Sequence, residues 1–425
     1  MSTIVQKYGG SSVATADRIK RVAERVVETA KAGARVCVVV SAMGNTTDEL
    51  VSLSNEVTTQ PHPRELDMLL TSGERISMAL LSMAISELGR EAHSFTGSQA
   101  GILTDTAHGR ARIVEVRARR VEEALQQGKI AIVAGFQGVS TDANITTLGR
   151  GGSDTTAVAL AASLGADACE IYTDVEGIYT ADPRVVPSAR KLREVSFDEM
   201  LELSASGARV LMARSVEYAR NHGVPIHVRS SFTDGPGTWI RMENQMMEKP
   251  LISGIAHDSS EAKVTITNVP DQPGIAARLF RSLAEGGLNV DMIVQNIAAD
   301  GDTDISFTIP RVELVEAEPI VGTVADAVGA TGFEIDADIA KLSLIGAGMR
   351  THPGVAAQMF EALAEAGVNI GIISTSSIRI SCVVEESDVG RAVRAVHESF
   401  DLADDAVIEE QAPGAAEPHD KAASA

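Results

Sequence analysis

Apolar positions in the first half of the chain follow two alternating patterns. Four short stretches, IVQKY at 4–8, RVCVVV at 35–40, KIAIVAGF at 129–136 and CEIYTD at 169–174, read as strands, RVCVVV as a continuous apolar one. Between the first two, Ile19, Val22, Ala23, Val26, Val27 and Ala30 recur at the spacing of one helix face. The same reasoning predicts helices around 47–57, 64–88 and 112–127, and a strand near 91–95. SDTTAVALAASLG reads as a helix of small residues with Ser153 or Asp154 as its N-cap. GARVLMARSVEYARNHG (207–223) reads as a helix stopped by glycine, followed by the strand PIHVRSS. Strand and helix in alternation predict an α/β fold: a mostly parallel open sheet with helices on both faces.

The pattern breaks at 233–250, TDGPGTWIRMENQMMEKP, which is polar, marked by Gly and Pro, and without periodicity. Beyond it the chain repeats itself. NVPDQPGIAARLFRSLAEGGLNVDMIVQN returns as GAGMRTHPGVAAQMFEALAEAGVNIGIIST, with Pro273-Gly274 matching Pro353-Gly354, Phe280 matching Phe360 and Asn289 matching Asn369 at one offset of 80 residues. Each copy reads as strand, Pro-Gly turn, helix, two strands and a second helix, a ferredoxin-like βαββα(β) unit. The expected division is a catalytic domain over 1–235, a linker over 236–250, repeat units over 251–335 and 336–411 with strands open to exchange between them, and a disordered tail over 412–425. The sequence does not say which unit the strand expected at AVIEE (406–410) completes.

Composition narrows the function. A chain of 425 residues that is 44% hydrophobic buries sizeable cores, and with 3% aromatics these are built from Ala, Val, Leu and Ile. The net charge of −21 is the wrong sign for nucleic acid or an anionic membrane, so cations for an anionic substrate must be concentrated locally. Cys37, Cys169 and Cys382 sit in apolar strand-like runs without metal-ligand spacing and read as buried, reduced thiols. No signal peptide and no membrane-spanning run is read, so a cytoplasmic protein is expected.

In an open parallel sheet, ligands bind beyond the carboxyl ends of the strands. The segments there are Lys7-Tyr8-Gly9-Gly10-Ser11-Ser12, Ser41 to Thr47, Gly135-Phe136 with TTLGRGGSD (146–154), and Thr173-Asp174 running to Arg184. All are rich in Gly, Ser, Thr and Asp. Glycines let backbone N–H groups approach phosphate oxygens, helix N-termini add positive potential, and Lys and Arg neutralise a moving phosphoryl group. Each segment alone has an ordinary reading: KYGG as a tight turn, Glu74 as a solvated helix residue, Asp174 as a turn former, Arg184 as a surface arginine. Their convergence on one sheet edge favours phosphoryl transfer.

Together, KYGGSS, SAMGNTTDEL, TSGERIS, SFTGSQAG, TTLGRGGSDTTA and YTDVEGIYTADPR resemble the aspartokinases, from residue 3 to about 231. The repeat is similar to the paired ACT domains of that family. The resemblance implies an amino-acid kinase that transfers the γ-phosphoryl of MgATP to the β-carboxylate of L-aspartate, giving 4-phospho-L-aspartate. It implies that Lys7 stabilises the transferring group with Asp154 as its organiser, and that Tyr8, Gly9, Gly10, Ser11, Thr173, Asp174, Tyr179, Asp182 and Arg184 bind ATP. Arg150 would clamp the substrate α-carboxylate and Glu74 its ammonium, with Ser41, Asn45, Thr47, Phe136, Gly151, Gly152 and Ser153 completing the pocket. No dedicated metal site is implied, Mg²⁺ arriving with ATP. Where many relatives carry a G-(A/S)-K segment, this chain has Gly207-Ala208-Arg209, so Arg209 is the expected nucleotide contact, with a planar fork in place of a point charge.

Lysine, threonine or both are the effectors implied for the repeat, at Asn289, Val290, Asp291, Gln295, Val355, Ala356, Asn369, Ile370, Ser376 and Ser377. A homodimer or higher oligomer through the ACT domains is implied, and a separate regulatory chain started near Met246-Met247. Two alternatives stay open in the sequence: a related kinase acting on another carboxylate such as glutamate, and a catalytically dead amino-acid sensor. Lys7 and Asp154, both present, speak against the second.

Overall fold

The computed structural model describes residues 1–243, 251–297 and 302–403. The internal start at Met246-Met247, the strand at 406–410 and the tail lie outside them. The first half forms an eight-stranded sheet in the order 194–196, 238–241, 226–230, 168–173, 3–8, 35–40, 130–134, 92–95. All neighbours are parallel except 226–230 with 238–241. The central strands are those expected from the sequence; both faces are covered, so Val36 to Val40 are all buried. Helices Ala16–Lys31 and Ser72–Glu87 cover one face, burying Ile19, Val22, Val26, Leu81 and Ile85. Helices Arg119–Gln126, Gly152–Ser163, Phe197–Ala205 and Ala213–His222 cover the other.

Several expectations need correction. The segment expected as a linker from 236 still belongs to the large sheet, with Thr238–Arg241 one of its strands. The stretch 112–127 is not one helix: Ile113–Val116 is a strand, and a helix starts at Arg119. Its strand joins 102–104, 137–140 and 145–147 in a small second sheet, whose strands of three or four residues are too short to show a pattern in the sequence. The helix expected over 207–223 spans Ala213–His222, and an additional helix, Phe197–Ala205, precedes it, opened by a Ser196/Glu199 capping box. The helix of small residues is capped by neither Ser153 nor Asp154: its N-cap is Gly151 at φ 67°, and both side chains lie in the first turn. Helices Pro63–Leu70 and Ser72–Glu87 run on as a stretch of 25 residues, apolar and long enough by composition to cross a membrane. Here the second of them packs Leu81 and Ile85 on the sheet.

The repeat forms two four-stranded sheets. The first has the order 293–297, 302–310, 261–270, 332–336 and is continuous in sequence, with helices Ile275–Glu285 and Leu314–Val328. The second has the order 254–258, 339–345, 379–385, 372–375, with helices Val355–Glu365 and Val389–Ser399. Its outer strand, Gly254–Asp258, thus comes from before the first unit and pairs antiparallel with Ile339–Ile345. Both Pro-Gly turns use the left-handed conformation, φ 94° at Gly274 and 101° at Gly354, where a side chain would be strained.

Ion pairs join the parts. Lys341, 1% exposed, lies between Glu261 and Asp291, each at 2.5 Å, and so ties the two repeat sheets together. Helix Phe197–Ala205 is the catalytic domain's plate for the second unit. Glu199 accepts hydrogen bonds from the Ser253 hydroxyl and the Ala347 backbone N–H, and Glu202 pairs with Arg379 at 3.0 Å. The three cysteines are buried and free, and burial pushes the Cys37 and Cys382 thiols up to about 12.

Candidate active site

Parallel pairing puts the ends of strands 3–8, 35–40, 130–134 and 168–173 on one edge, and the glycine-rich segments follow from there. Lys7 sits one residue from the end of its strand, facing helix Gly152–Ser163. Its Nζ lies 2.7 Å from Asp154 Oδ1, with both side chains about nine-tenths buried. Asp154 belongs to the first helical turn, whose positive end favours a carboxylate. Beyond this ion pair, Asp154 Oδ1 has no hydrogen-bond partner.

Of the glycines that follow Lys7, Gly10 is the one held tightly: a Cβ there would meet the carbonyls of Ala42 and Gly44 at 3.0 Å, whereas one on Gly9 would make only an ordinary contact with Lys7 Nζ. Gly10 accepts a bond from Gly44 N–H, docking the Ser41–Thr47 turn on the first turn. Glu74 reaches the same turn from helix Ser72–Glu87. It is 3% exposed, accepts from the Ala42 N–H at 3.2 Å, and its Oε2 has no partner. Burial raises its pKa from 4.5 to about 7. An unpartnered buried carboxylate oxygen is the chemistry a substrate ammonium would satisfy.

The loop bearing Arg150 is held from both sides. Thr147 donates to Asp67 Oδ1 at 2.5 Å, while His108 and the Gly109 N–H also bind that carboxylate. Arg214 donates to the Leu148 and Ala111 carbonyls, at 2.8 Å each. Arg150 is exposed on the turn so fixed, and Ser153 lies against Gly135. Phe136 adopts φ 67°, its N–H donating to the Thr156 hydroxyl, with its ring against Gly152. Asp67 and Arg214 escaped the sequence reading because each is a single polar residue on an otherwise regular helix, with no motif around it. Gly151→Ala tests the loop. Its φ of 67° and the 2.0 Å approach of an added Cβ to Met212 Cγ make the alanine strained, costing about 1–3 kcal/mol. The expected result is a KM for the carboxylate substrate raised about tenfold, since Arg150 moves with the turn.

A cleft of about 690 Å³ opens at the end of strand Ala168–Thr173, the neighbour of the strand that carries Lys7. Thr173, Asp174, Tyr179, Asp182, Arg184 and Arg209, six of the expected nucleotide residues, all line it. Thr173 donates to Asp174, and Arg184 makes a forked pair with Asp182, its Nη2 at 2.7 Å, which holds the Asp182 carboxyl below its usual range. Arg209 is 77% exposed, with its nearest ion-pair partner Asp258 at 3.9 Å. Lys7, Tyr8, Gly9, Gly10 and Ser11, also expected at the nucleotide, are not in the lining of this cleft. The Tyr8 side chain is fully buried on the other face of the sheet, stacked on Tyr172 at 4.7 Å. The alternation of a strand dictates this: Lys7 and its neighbour point to opposite faces. Among the described residues no cluster of three metal-ligating side chains occurs.

The family model for the amino acid kinase family matches residues 2–230, and an ACT-domain model matches 263–321 and 342–400. The aspartokinase of Mycolicibacterium smegmatis is 58% identical over 96% of this chain and 99% of its own length; that of Mycobacterium tuberculosis is 57% identical over 95% and 97%. This chain belongs to the aspartokinases. Among solved structures, Escherichia coli aspartokinase III in complex with aspartate and ADP, in its R-state, aligns with a TM-score of 0.79. It is 26% identical, over 93% of this chain and 99% of that one. The T-state complex of the same protein with lysine and aspartate aligns at 0.74. The enzyme is therefore an aspartate kinase with an amino-acid kinase domain and tandem ACT units, and the strand exchange described above is a feature of this aspartokinase chain.

Proposed function

We propose that the enzyme transfers the γ-phosphoryl of MgATP to the β-carboxylate of L-aspartate, giving 4-phospho-L-aspartate, the first step toward lysine, threonine, methionine and diaminopimelate. The observation that carries this is the Lys7–Asp154 ion pair at 2.7 Å, set at the sheet edge where strand Ala168–Thr173 also ends in the cleft of Arg209. In that reading the substrate ammonium meets Glu74, its α-carboxylate meets Arg150, and the β-carboxylate points toward Lys7. The nucleotide lies in the cleft with its phosphates toward Lys7 and the Gly9 and Gly10 backbone, and Mg²⁺ enters as part of that substrate. Attack by a carboxylate oxygen on the γ-phosphorus breaks the bond to the ADP oxygen. Lys7 neutralises charge on the oxygens in transit, while Asp154 keeps its ammonium in place.

The repeat is the regulatory part, and lysine, threonine or both are its ligands. In the first unit a cleft of about 400 Å³ lies under the Pro273-Gly274 turn and includes Gln295, Ile275 and Ala276. Ile275 and Ala276 hold the positions that Val355 and Ala356 hold in the second unit. Asn289 and Val290, like Asn369 and Ile370, precede edge strands of their sheets, and Ser376 and Ser377 form the exposed turn after Ile372–Thr375. Asp291 is engaged by Lys341, so an effector reaching it competes with that ion pair. ACT sheets of this kind also offer the surface for a homodimer or higher oligomer.

Hydroxylamine trapping of the acyl phosphate tests the reaction. Hydroxamate is expected with MgATP and L-aspartate; product with L-glutamate instead overturns the substrate assignment. Repeating the assay with lysine and threonine, singly and together, is expected to lower the rate in at least one case. Equal rates in all three remove the proposed role of the repeat.

A further inference from the structure

The strand Gly254–Asp258 serves two structures at once. By hydrogen bonding it is the outer strand of the second regulatory sheet, with Gly254 opposite Ile345 and His257 opposite Leu342. By position it forms a wall of the large cleft, to which Ile255, Ala256 and His257 contribute. Backbone contacts hold it there. The Ile255 N–H donates to the Thr180 carbonyl at 2.7 Å, and Thr180 lies between Tyr179 and Asp182 of the cleft. Gly207, at φ 109°, packs so closely on the strand that a Cβ there would lie 2.1 Å from the His257 carbonyl oxygen. From the far side, the Thr180 hydroxyl is engaged by His397 at 3.0 Å and donates to the Leu402 carbonyl at 2.9 Å, both in the second unit.

The half-buried His257 imidazole sits in the field of Asp182, Asp258, Arg184 and Arg209, and burial keeps its pKa below the usual histidine value. At neutral pH it therefore offers one N–H donor and one acceptor without adding charge. A neutral group of that kind, beside two arginines in a cleft for a polyanion, suits the uncharged part of a nucleotide. We propose that His257, supplied by the regulatory sheet, is a direct contact of the bound nucleotide, so that nucleotide binding and the arrangement of the second ACT sheet are coupled. The proposal rests on the reading of this cleft as the nucleotide site. It gives the sheet a place in the binding wall itself, and linkage makes the effect reciprocal: whatever shifts the strand changes nucleotide affinity, and nucleotide stabilises the strand where it lies.

The test uses the full-length enzyme and MgADP, titrated by calorimetry. His257→Ala is expected to weaken binding about five- to twentyfold and to raise the KM for ATP equally, leaving the KM for aspartate within twofold. His257→Gln, which keeps a donor and an acceptor, is expected to recover most of the loss and so separates lost contact from lost folding. Asp174→Ala and Arg209→Ala serve as controls on the cleft. If neither weakens MgADP binding, the cleft is not the nucleotide site and the proposal falls with it. If they weaken it and His257→Ala stays within twofold of wild type, the cleft stands and the role of His257 is overturned. Hydrogen exchange reads the coupling: saturating MgADP is expected to slow amide exchange in Ile339–Ile345 of the wild type, and less so in His257→Ala. Unchanged exchange in the wild type overturns the coupling.

Discussion

Lys7→Ala lowers turnover by about three orders of magnitude, and the protein remains folded. The ammonium it removes is the positive group at the strand end, held 2.7 Å from Asp154 where water reaches little of either side chain. In such a site its attraction for phosphoryl oxygens is far stronger than in bulk water, and it acts most where charge moves in the transition state. The loss should therefore appear in turnover, with nucleotide affinity changed by a few fold. Folding survives because Asp154 remains in a helix first turn that favours its charge. Lys7→Arg keeps the charge but spreads it over a planar fork, in a site where Lys7 is about nine-tenths buried against Asp154 as a point charge. It should recover only part of the rate. Steady-state kinetics with circular dichroism checks both, and near-normal turnover of Lys7→Ala removes Lys7 from the mechanism.

Glu74→Gln makes the enzyme more stable at alkaline pH and a much poorer binder of aspartate. Burial raises the Glu74 pKa to about 7, so below that value the folded protein holds a proton that the unfolded chain, titrating near 4.5, releases. The group's contribution is most favourable below the unfolded value and is lost as pH rises through about 7. At pH 8 the buried carboxylate costs the free enzyme up to about 3 kcal/mol, which the neutral amide avoids. The apparent melting temperature of Glu74→Gln should exceed that of wild type at pH 8 and match it near pH 4. Kinetics move the other way. In wild type, log kcat/KM for aspartate should fall with a slope of one as pH drops below about 7, because the protonated acid does not bind an ammonium. In the variant that limb disappears, and the KM for aspartate rises by one to two orders of magnitude, the cost of leaving one partner of a buried charge pair alone. A variant with unchanged KM and the wild-type pH limb would free Glu74 from the pocket.

Stability and function thus pull apart at this residue. Glu74 Oε2 is a buried oxygen without a partner, on a helix that the sheet otherwise holds by Leu81 and Ile85. A core selected for stability alone would place a neutral residue there.

The parallel sheet and the repeat were legible in the sequence because their determinants are local and periodic. Runs such as RVCVVV are buried on both faces, and the Pro-Gly turns need glycine wherever φ is positive. Gly10 was legible for the same reason, since the Ala42 and Gly44 carbonyls approach it too closely for a side chain. Identities alone thus placed Glu74, Arg150, Asp154 and the Thr173–Arg184 segment at one sheet edge. Tertiary structure decided what depends on which surfaces meet. It turned Tyr8 away from the site, broke 112–127 into strand and helix, and gave Asp67 and Arg214 their hold on the Arg150 loop. Above all it lent Gly254–Asp258 to the second regulatory sheet and set His257 in the wall of the large cleft. A strand's own pattern records that it has a buried face, and the partner that buries it is chosen only when the rest of the chain has folded around it.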